Sequence, residues 1–506
     1  MEKKIVFWIN ADITIFSMAK FLQQKINDDF FAVIDITNKP KKFFQNQNIV
    51  KFKKSWFYHD HVKNELKNKP DMEYLTKIEE KYNFKIWELI SNDRFFNNYN
   101  NFYKFNSNEA LLIFEEECKL YESILNDINP DFLIMPQTAL QNQHLFYLMC
   151  KKHGVKILML NYANYQSKCF ISQNSHKIDE LDNVDEHKTT RTISQLQEQL
   201  DIKNVSSEHK KLYGNIRKSK ISKILAAFQL LFKSNNSNIK THYTYFGRTK
   251  IRVLIYQLKF ELNKKFRHNF INHNLIYKIN ENEPFIYFPL HQEPERSLLI
   301  AAPYFTNQIE TIKNIVKSMP VGLKLFVKEH PTQGPARGWR SISAYKEIMK
   351  IPNVVFLHPS VSSRELIKKS SLVISVGGTA CFEAAFFEKQ SITFANLGFE
   401  TITSIHKIDS IQELQKTIKE VLDQKTSILE LDNYLTSLEK NLCNFDLLGF
   451  EVEMHRWFYF EGNLVDVNIS EDRMEDFLKE NKEELTKLSS EFIKKMKHHK
   501  RFIDSV

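Results

Sequence analysis

The chain of 506 residues, 42% hydrophobic and 26% charged, has enough apolar material for two or three packed domains, which excludes disorder on a large scale. Its net charge of +10 is local: 17 Lys and Arg against 3 Asp and Glu between residues 201 and 280 give that segment +14 and leave the other 426 residues at −4. Only 11 residues are glycine, none before Gly154 and six between Gly322 and Gly398, so the first half has no material for a glycine-rich dinucleotide turn or a P-loop.

From the N-terminus, residues 5–9 read as a strand, 15–26 as a helix, 31–35 as a second strand and 49–52 as a third. The Asn- and aromatic-rich run 97–102 reads as an exposed loop, and 110–125 as a helix that stops at Asn129-Pro130. Then come a strand at 131–135, a loop at 136–139, a helix at 143–152, Gly154 and a strand at 155–160. That order is a βαβ unit and implies parallel pairing with a right-handed crossover. The basic segment 201–280 has no proline and long mixed basic and apolar runs, and reads as helices. From Pro284 the alternation resumes, with strands at 285–288, 323–327, 354–357, 372–375 and 391–395 and helices at 308–318, 362–369 and 380–388. Strands apolar on both faces suit a buried parallel sheet. The expected fold class is α/β, with two doubly wound domains facing a cleft. The boundaries are 1–190 for an N-terminal α/β domain, 191–282 for a basic helical insertion, 283–425 for a second α/β domain and 426–506 for a polar helical tail.

Five widely spaced cysteines without a C-x-x-C pair point to neither a zinc site nor a disulfide framework. The apolar run after Lys4 is too short for a signal-peptide core, and no run approaches the ~20 apolar residues that span a bilayer. A cytoplasmic location is expected.

Three stretches carry the chemistry. In Ser375-Val376-Gly377-Gly378-Thr379, with Glu383 one turn further on, a strand meets two glycines and a helix begins. Unpaired N–H groups and hydroxyls there suit a phosphate, and the carboxylate of Glu383 suits ribose hydroxyls. In Lys328-Glu329-His330-Pro331 a histidine stands at the carboxyl end of a strand, where open α/β sheets place ligands. It can donate to a phosphate and stabilise a departing nucleotide. In Pro289-Leu290-His291-Gln292-Glu293-Pro294-Glu295-Arg296-Ser297 an apolar strand ends in a dense polar loop.

Together these strings resemble the capsule polysaccharide biosynthesis/export family, which contains transferases that add Kdo from CMP-Kdo to lipid or glycan acceptors. More broadly they resemble inverting GT-B glycosyltransferases. The family's Pro-Leu-Gln-x-x-x-Asp stands here as Pro289-Leu290-His291-Gln292-Glu293-Pro294-Glu295. The resemblance implies a C-terminal lobe that binds a CMP- or UDP-linked sugar as substrate, with no separate cofactor. His330, Ser375, Gly377, Gly378 and Thr379 would hold the phosphate, with Lys328 and Glu329 beside them, and Glu383 the ribose. Direct displacement at the anomeric carbon needs a general base on the acceptor hydroxyl, for which Asp12, Glu293 and Glu295 are the candidates. No Asp-x-Asp motif occurs, in keeping with a metal-independent mechanism. The acceptor would be lipid-linked or a glycan. Residues 201–280 suit an anionic membrane surface on the cytoplasmic side better than nucleic acid, for which no module is recognisable. A non-catalytic capsule-assembly protein and a UDP-sugar 2-epimerase-like enzyme share the same pattern.

Overall fold

β-branched and aromatic runs form thirteen strands: β1 (Lys4–Ile9), β2 (Asp29–Ile34), β3 (Lys54–Phe57), β4 (Phe132–Pro136), β5 (Lys156–Tyr162), β6 (Cys169–Ser172), β7 (Phe285–Pro289), β8 (Lys324–Lys328), β9 (Val354–Leu357), β10 (Leu372–Ser375), β11 (Ser391–Thr393), β12 (Ile405–Lys407) and β13 (Leu442–Cys443). The structure, a computed structural model, describes the chain except for residues 1, 63–68, 97–98, 164, 167, 180–190, 203–218, 235–241, 280–282, 400, 425 and 504–506.

The strands build two sheets, in the orders β13-β6-β5-β4-β1-β2-β3 and β12-β11-β10-β7-β8-β9. Every pairing is parallel except β5 with β6 and β6 with β13. Both sheets are covered by helices on both faces, so β1, β7 and β10 are almost wholly buried, as parallel strands require. In each sheet the strand order reverses once: between β1 and β4 in the first, and between β7 and β10 in the second. Loops leaving the two strands at such a switch point diverge and open a crevice. The fold is thus α/β with two Rossmann-like lobes, a GT-B-like architecture.

Local signals explain several boundaries. Asn106 and Glu109 form a capping box that starts the helix Ser107–Ile128, and Asn129 ends it in the left-handed region, φ 47°. One strand is displaced. The Ile49-Val50 run expected as a strand is a loop, because the Gln47 amide takes both the N–H and the C=O of Val50. The ladder to β2 is made by Lys54–Phe57 instead.

The residues from 426 are no polar tail. Leu431, Leu435 and Leu438 of the helix Ile428–Asn441 pack in the second lobe's core. The chain then returns through β13 to the first sheet. There Phe450, Met454 and Phe458, followed by Phe477, Leu488 and Phe492, fill the core under β1 and β2. Interrupted helical stripes carry too few apolar residues per turn to be recognised from composition, yet each stripe is buried.

The basic segment is built from the helices Lys220–Phe228 and Lys250–Asn274; its residues 203–218 and 235–241 lie outside the described ones, as does Asn97-Asn98 of the expected loop. Tyr243 and Phe246 anchor the segment in the first lobe's core, and Ile271 and Leu275 anchor it in the second. At the first anchor the Glu117 carboxyl is buried between the hydroxyls of Tyr58 and Tyr243, with Tyr243 at 3.1 Å. Burial pushes its pKa up to about 8, against the two hydroxyls that favour the charge. A folded-state pKa above the unfolded one means the native state holds the proton, so this site loses stability as pH rises from about 4.5 to 8. Glu117→Gln should flatten that fall and raise stability at pH 7 by up to about 3 kcal/mol, read from urea midpoints across that range.

Candidate functional site

The loops at the two switch points face one another across a cleft of about 570 Å3. Asp12 after β1 and Gln137 after β4 come from the first lobe; the 291–297 loop after β7, His330 after β8 and the Gly377-Gly378 turn after β10 come from the second. All three polar stretches singled out in the sequence therefore meet on one wall.

That wall is organised around His291. The Gly377 N–H donates to its Nε2 at 3.1 Å, and the Ser375 hydroxyl lies 3.1 Å from the same nitrogen. An N–H donating to Nε2 leaves the ring proton on Nδ1, which faces Glu295 Oε2 at 3.4 Å. The Glu295 carboxyl, raised by burial but lowered more by His291 and then His330, has its pKa held below the usual value. It stays ionised on the cleft surface.

The glycines serve this packing. A Cβ on Gly378 would stand 2.9 Å from Ser375 Oγ and 3.0 Å from His291 Cε1; one on Gly377 would stand 2.9 Å from the Ala395 Cβ and 3.2 Å from Ser297 O. Their amides, expected to bind phosphate, are engaged within the protein: Gly377 on His291, and Gly378 on Ser375 Oγ at 3.1 Å. Ser375 borders the cleft but is fully buried, and its hydroxyl oxygen ties the turn by accepting the Gly378 N–H. Thr379 and Glu383 do line the cleft, with the Thr379 hydroxyl donating to Glu383 Oε1 at 3.0 Å.

His330 also lines the cleft. Its Nδ1 accepts from the Thr332 N–H at 3.3 Å and lies 2.8 Å from the Thr332 hydroxyl, which puts the proton on Nε2. Burial pulls its pKa down to about 4, with Glu295 opposing. At neutral pH the ring is an uncharged donor.

Glu329, expected at the donor, lines the cleft, and Glu293, expected as a base, lines the adjoining groove; both are tied to one guanidinium. The Glu329 carboxylate is fully buried, accepting from the His330 N–H at 2.6 Å, the Tyr345 hydroxyl at 2.8 Å and Arg340 Nε at 3.0 Å. Glu293 Oε1 pairs with Arg340 Nη1 at 2.7 Å and takes the Gln308 amide. Arg340 also holds the His291 carbonyl. This guanidinium clamps the two loops that carry His291 and His330. Lys328 is likewise almost wholly buried, with Nζ on Ser363 Oγ at 2.5 Å. Arg340→Ala would leave Glu329 charged in the interior, a change expected to cost about 3–5 kcal/mol. A guanidinium-chloride midpoint measures it, and adding Glu329→Gln should restore much of the loss.

The opposite wall holds Asp12. Asn10 Nδ2 donates to its Oδ2 at 2.9 Å, and the following Ile13 sits at φ 44°. A β-branched residue rarely adopts that conformation, which costs of order 1–3 kcal/mol and recurs at functional loops. Burial raises the Asp12 pKa, with His455 and Asn10 opposing. Beside it Glu451 accepts from Tyr162, and burial followed by the Asp12 charge lifts its pKa to about 8. Glu451 and His455 lie one turn apart on the helix Leu447–Phe458 and both line the cleft. Sequence reasoning missed this pair; their i, i+4 spacing puts them on one helix face, but nothing local brings that helix to β1.

Arg296, in the same polar loop, also lines the cleft. Its Nε and Nη1 are buried and, among the described residues, have no partner, while Nη2 lies 3.5 Å from Thr138 Oγ1. Burial, which Tyr147 only partly opposes, pulls its pKa down to about 10. Arg94 lines the same cleft from the first lobe, and its Nε is also buried without a partner among the described residues. Both guanidiniums thus line the cleft with nitrogens that have no hydrogen-bond partner among the described residues, Arg94 with Asp93 and Glu295 near it.

The family model described as capsule polysaccharide biosynthesis protein matches residues 184–422. No curated protein matches the chain. Among solved structures, Thermosulfurimonas dismutans KpsC, a beta Kdo 2,7 transferase, is 14% identical, with 62% of this chain and 79% of that one covered and a TM-score of 0.31. Methanocaldococcus jannaschii UDP-GlcNAc 2-epimerase in complex with UDP-GlcNAc and UDP is 12% identical, with 87% and 99% covered and a TM-score of 0.26. Anabaena Alr3699/HepE in complex with UDP-glucose is 11% identical, with 90% and 98% covered and a TM-score of 0.25. Likeness at this level carries no argument about chemistry. Residues 184–422, a little under half of the chain, are thus similar to the capsule polysaccharide biosynthesis proteins, and they overlap the second of two Rossmann-like α/β lobes.

Proposed function

We propose that the protein is a glycosyltransferase of surface-polysaccharide assembly that moves a sugar from a nucleotide donor to a hydroxyl of a glycan or lipid-linked acceptor. The observation that carries this reading is the cleft itself. Its second-lobe wall offers a neutral His330 donor with Thr379 and Glu383, its first-lobe wall offers Asp12, and Arg296 and Arg94 line it with guanidinium nitrogens that lack a hydrogen-bond partner among the described residues. In this assignment the donor's phosphate rests against His330 and Thr379, and its ribose against Glu383. A sugar bearing a carboxylate, such as Kdo on CMP, fits the Arg296 guanidinium, which gains a partner when the donor binds.

The reaction is then a displacement. The acceptor oxygen bonds to the anomeric carbon and passes its proton to Asp12. The bond from that carbon to the phosphate oxygen breaks, and its electron pair leaves on the nucleotide, where the His330 N–H stabilises the developing charge. Glu295 stands on the donor wall, paired with His291, and orients rather than accepts.

A wider groove of about 1970 Å3 joins the cleft at Leu290, Pro294 and Arg337 and runs beneath the helix Lys250–Asn274. It is the acceptor's route of approach in this reading. Thermal unfolding with a panel of CMP- and UDP-sugars tests the proposal, since a ligand of the native state raises stability by mass action. Stabilisation by one nucleotide class and by no free sugar is expected, and no stabilisation by any donor would sink the transferase reading. Direct displacement also predicts inversion; a product with the donor's own anomeric configuration, read by NMR, would replace it with a two-step mechanism.

A further inference from the structure

Among the described residues no helix is long and apolar enough to cross a membrane, yet the basic segment exposes apolar side chains that a protein in water normally buries. On the helix Lys250–Asn274, Ile251, Ile255, Leu258, Leu262 and Phe266 are each between 47% and 68% exposed. Their spacing of three and four residues places them on one helix face. The opposite face is turned to the protein: Arg267 Nη1 donates to the Trp339 carbonyl at 2.9 Å, and Phe260 packs on Gly338.

The helix Lys220–Phe228, continued by the π-helical turn Gln229–Lys233, repeats the arrangement. Ile224, Phe228 and Phe232 are 54–71% exposed, while Ala226 is buried and Lys223 pairs with Glu261 of the neighbouring helix at 2.9 Å. Lys250 Nζ donates to the Leu231 carbonyl at 2.8 Å, so the two helices form one layer. The charge on its outer side has one sign. Lys220, Lys233, Arg252, Lys259 and Lys265 are exposed, and the layer's single acid, Glu261, is already paired.

We propose that this two-helix layer is a docking surface for an anionic lipid bilayer. The apolar stripes enter the boundary between headgroups and acyl chains, and the flanking cations meet lipid phosphates. A second copy of the chain would face a like-charged surface, which disfavours self-pairing. The groove beneath the helix Lys250–Asn274 then opens at the membrane and leads to the cleft, so the acceptor arrives held by lipid. This last step rests on the transferase reading; the docking does not.

The test is sedimentation of the full-length protein with vesicles of phosphatidylcholine alone or with one part phosphatidylglycerol in three. Binding to the anionic vesicles that falls with added salt is expected. Arg252→Gln, Lys259→Gln and Lys265→Gln should each weaken it about fivefold. Leu258→Asp, Leu262→Asp and Phe266→Asp combined should abolish it, and these side chains already face water, so far-ultraviolet circular dichroism should be unchanged. Equal binding to neutral and anionic vesicles, or none to either, overturns the proposal. So does self-association, by sedimentation velocity, that the triple Asp variant abolishes, since a second copy would then cover the face. Nucleotide stabilisation of the same samples is read in parallel, so loss of docking and failure of the transferase reading remain separate results.

Discussion

His330→Ala is expected to abolish the nucleotide-dependent gain in thermal stability, or to lower turnover by at least about 100-fold where donor binding survives. The ring's own contacts leave its proton on Nε2: Thr332 occupies Nδ1, and burial keeps the ring neutral with a pKa of about 4. A neutral donor needs no compensating anion and is ready when charge develops on the departing phosphate. His330→Gln keeps an N–H near the same place and should recover part of the loss. Unchanged stabilisation and turnover in His330→Ala would remove this residue from the site.

Asp12→Asn should leave the nucleotide shift intact and lower kcat by about 100- to 10,000-fold, the range for loss of a general base. Asp12 is separated from the donor wall by the width of the cleft, so binding and chemistry ought to part company in this variant. Burial raises its pKa, so activity of the unaltered protein should fall as pH drops through that raised value, and this acid limb should vanish in Asp12→Asn. Glu451, lifted to about 8, holds its proton at neutral pH and spares Asp12 a second charge. An acid limb that persists in Asp12→Asn would assign the base elsewhere.

The fold was legible because it is written in short-range pattern. Runs such as Phe285 to Phe288 and Leu372 to Ser375 are apolar on both faces, and only a covered parallel sheet accommodates that. The three polar stretches were legible for a related reason: each follows such a strand directly, and the carboxyl ends of strands at and beside a switch point border one crevice. Their internal roles were not. Glu293 and Glu329 look like cleft carboxylates in a linear string, and only Arg340, 11 and 47 residues further along, reveals them as partners of one guanidinium. The same holds for the glycine amides, whose acceptors are His291 and Ser375.

By itself the sequence determined that two α/β lobes exist, that glycines and prolines gather in the second, and that a basic segment separates them. Tertiary structure alone decided the rest. Periodicity reports which face of an element is buried, but not what buries it, because that depends on contacts between residues hundreds of positions apart. So the helix carrying Glu451 and His455, read as part of a polar tail, completes the first lobe's core and brings two titratable groups to Asp12. The local concentration of glycine pointed to the second lobe's wall of the cleft; the wall opposite it is assembled from both ends of the chain.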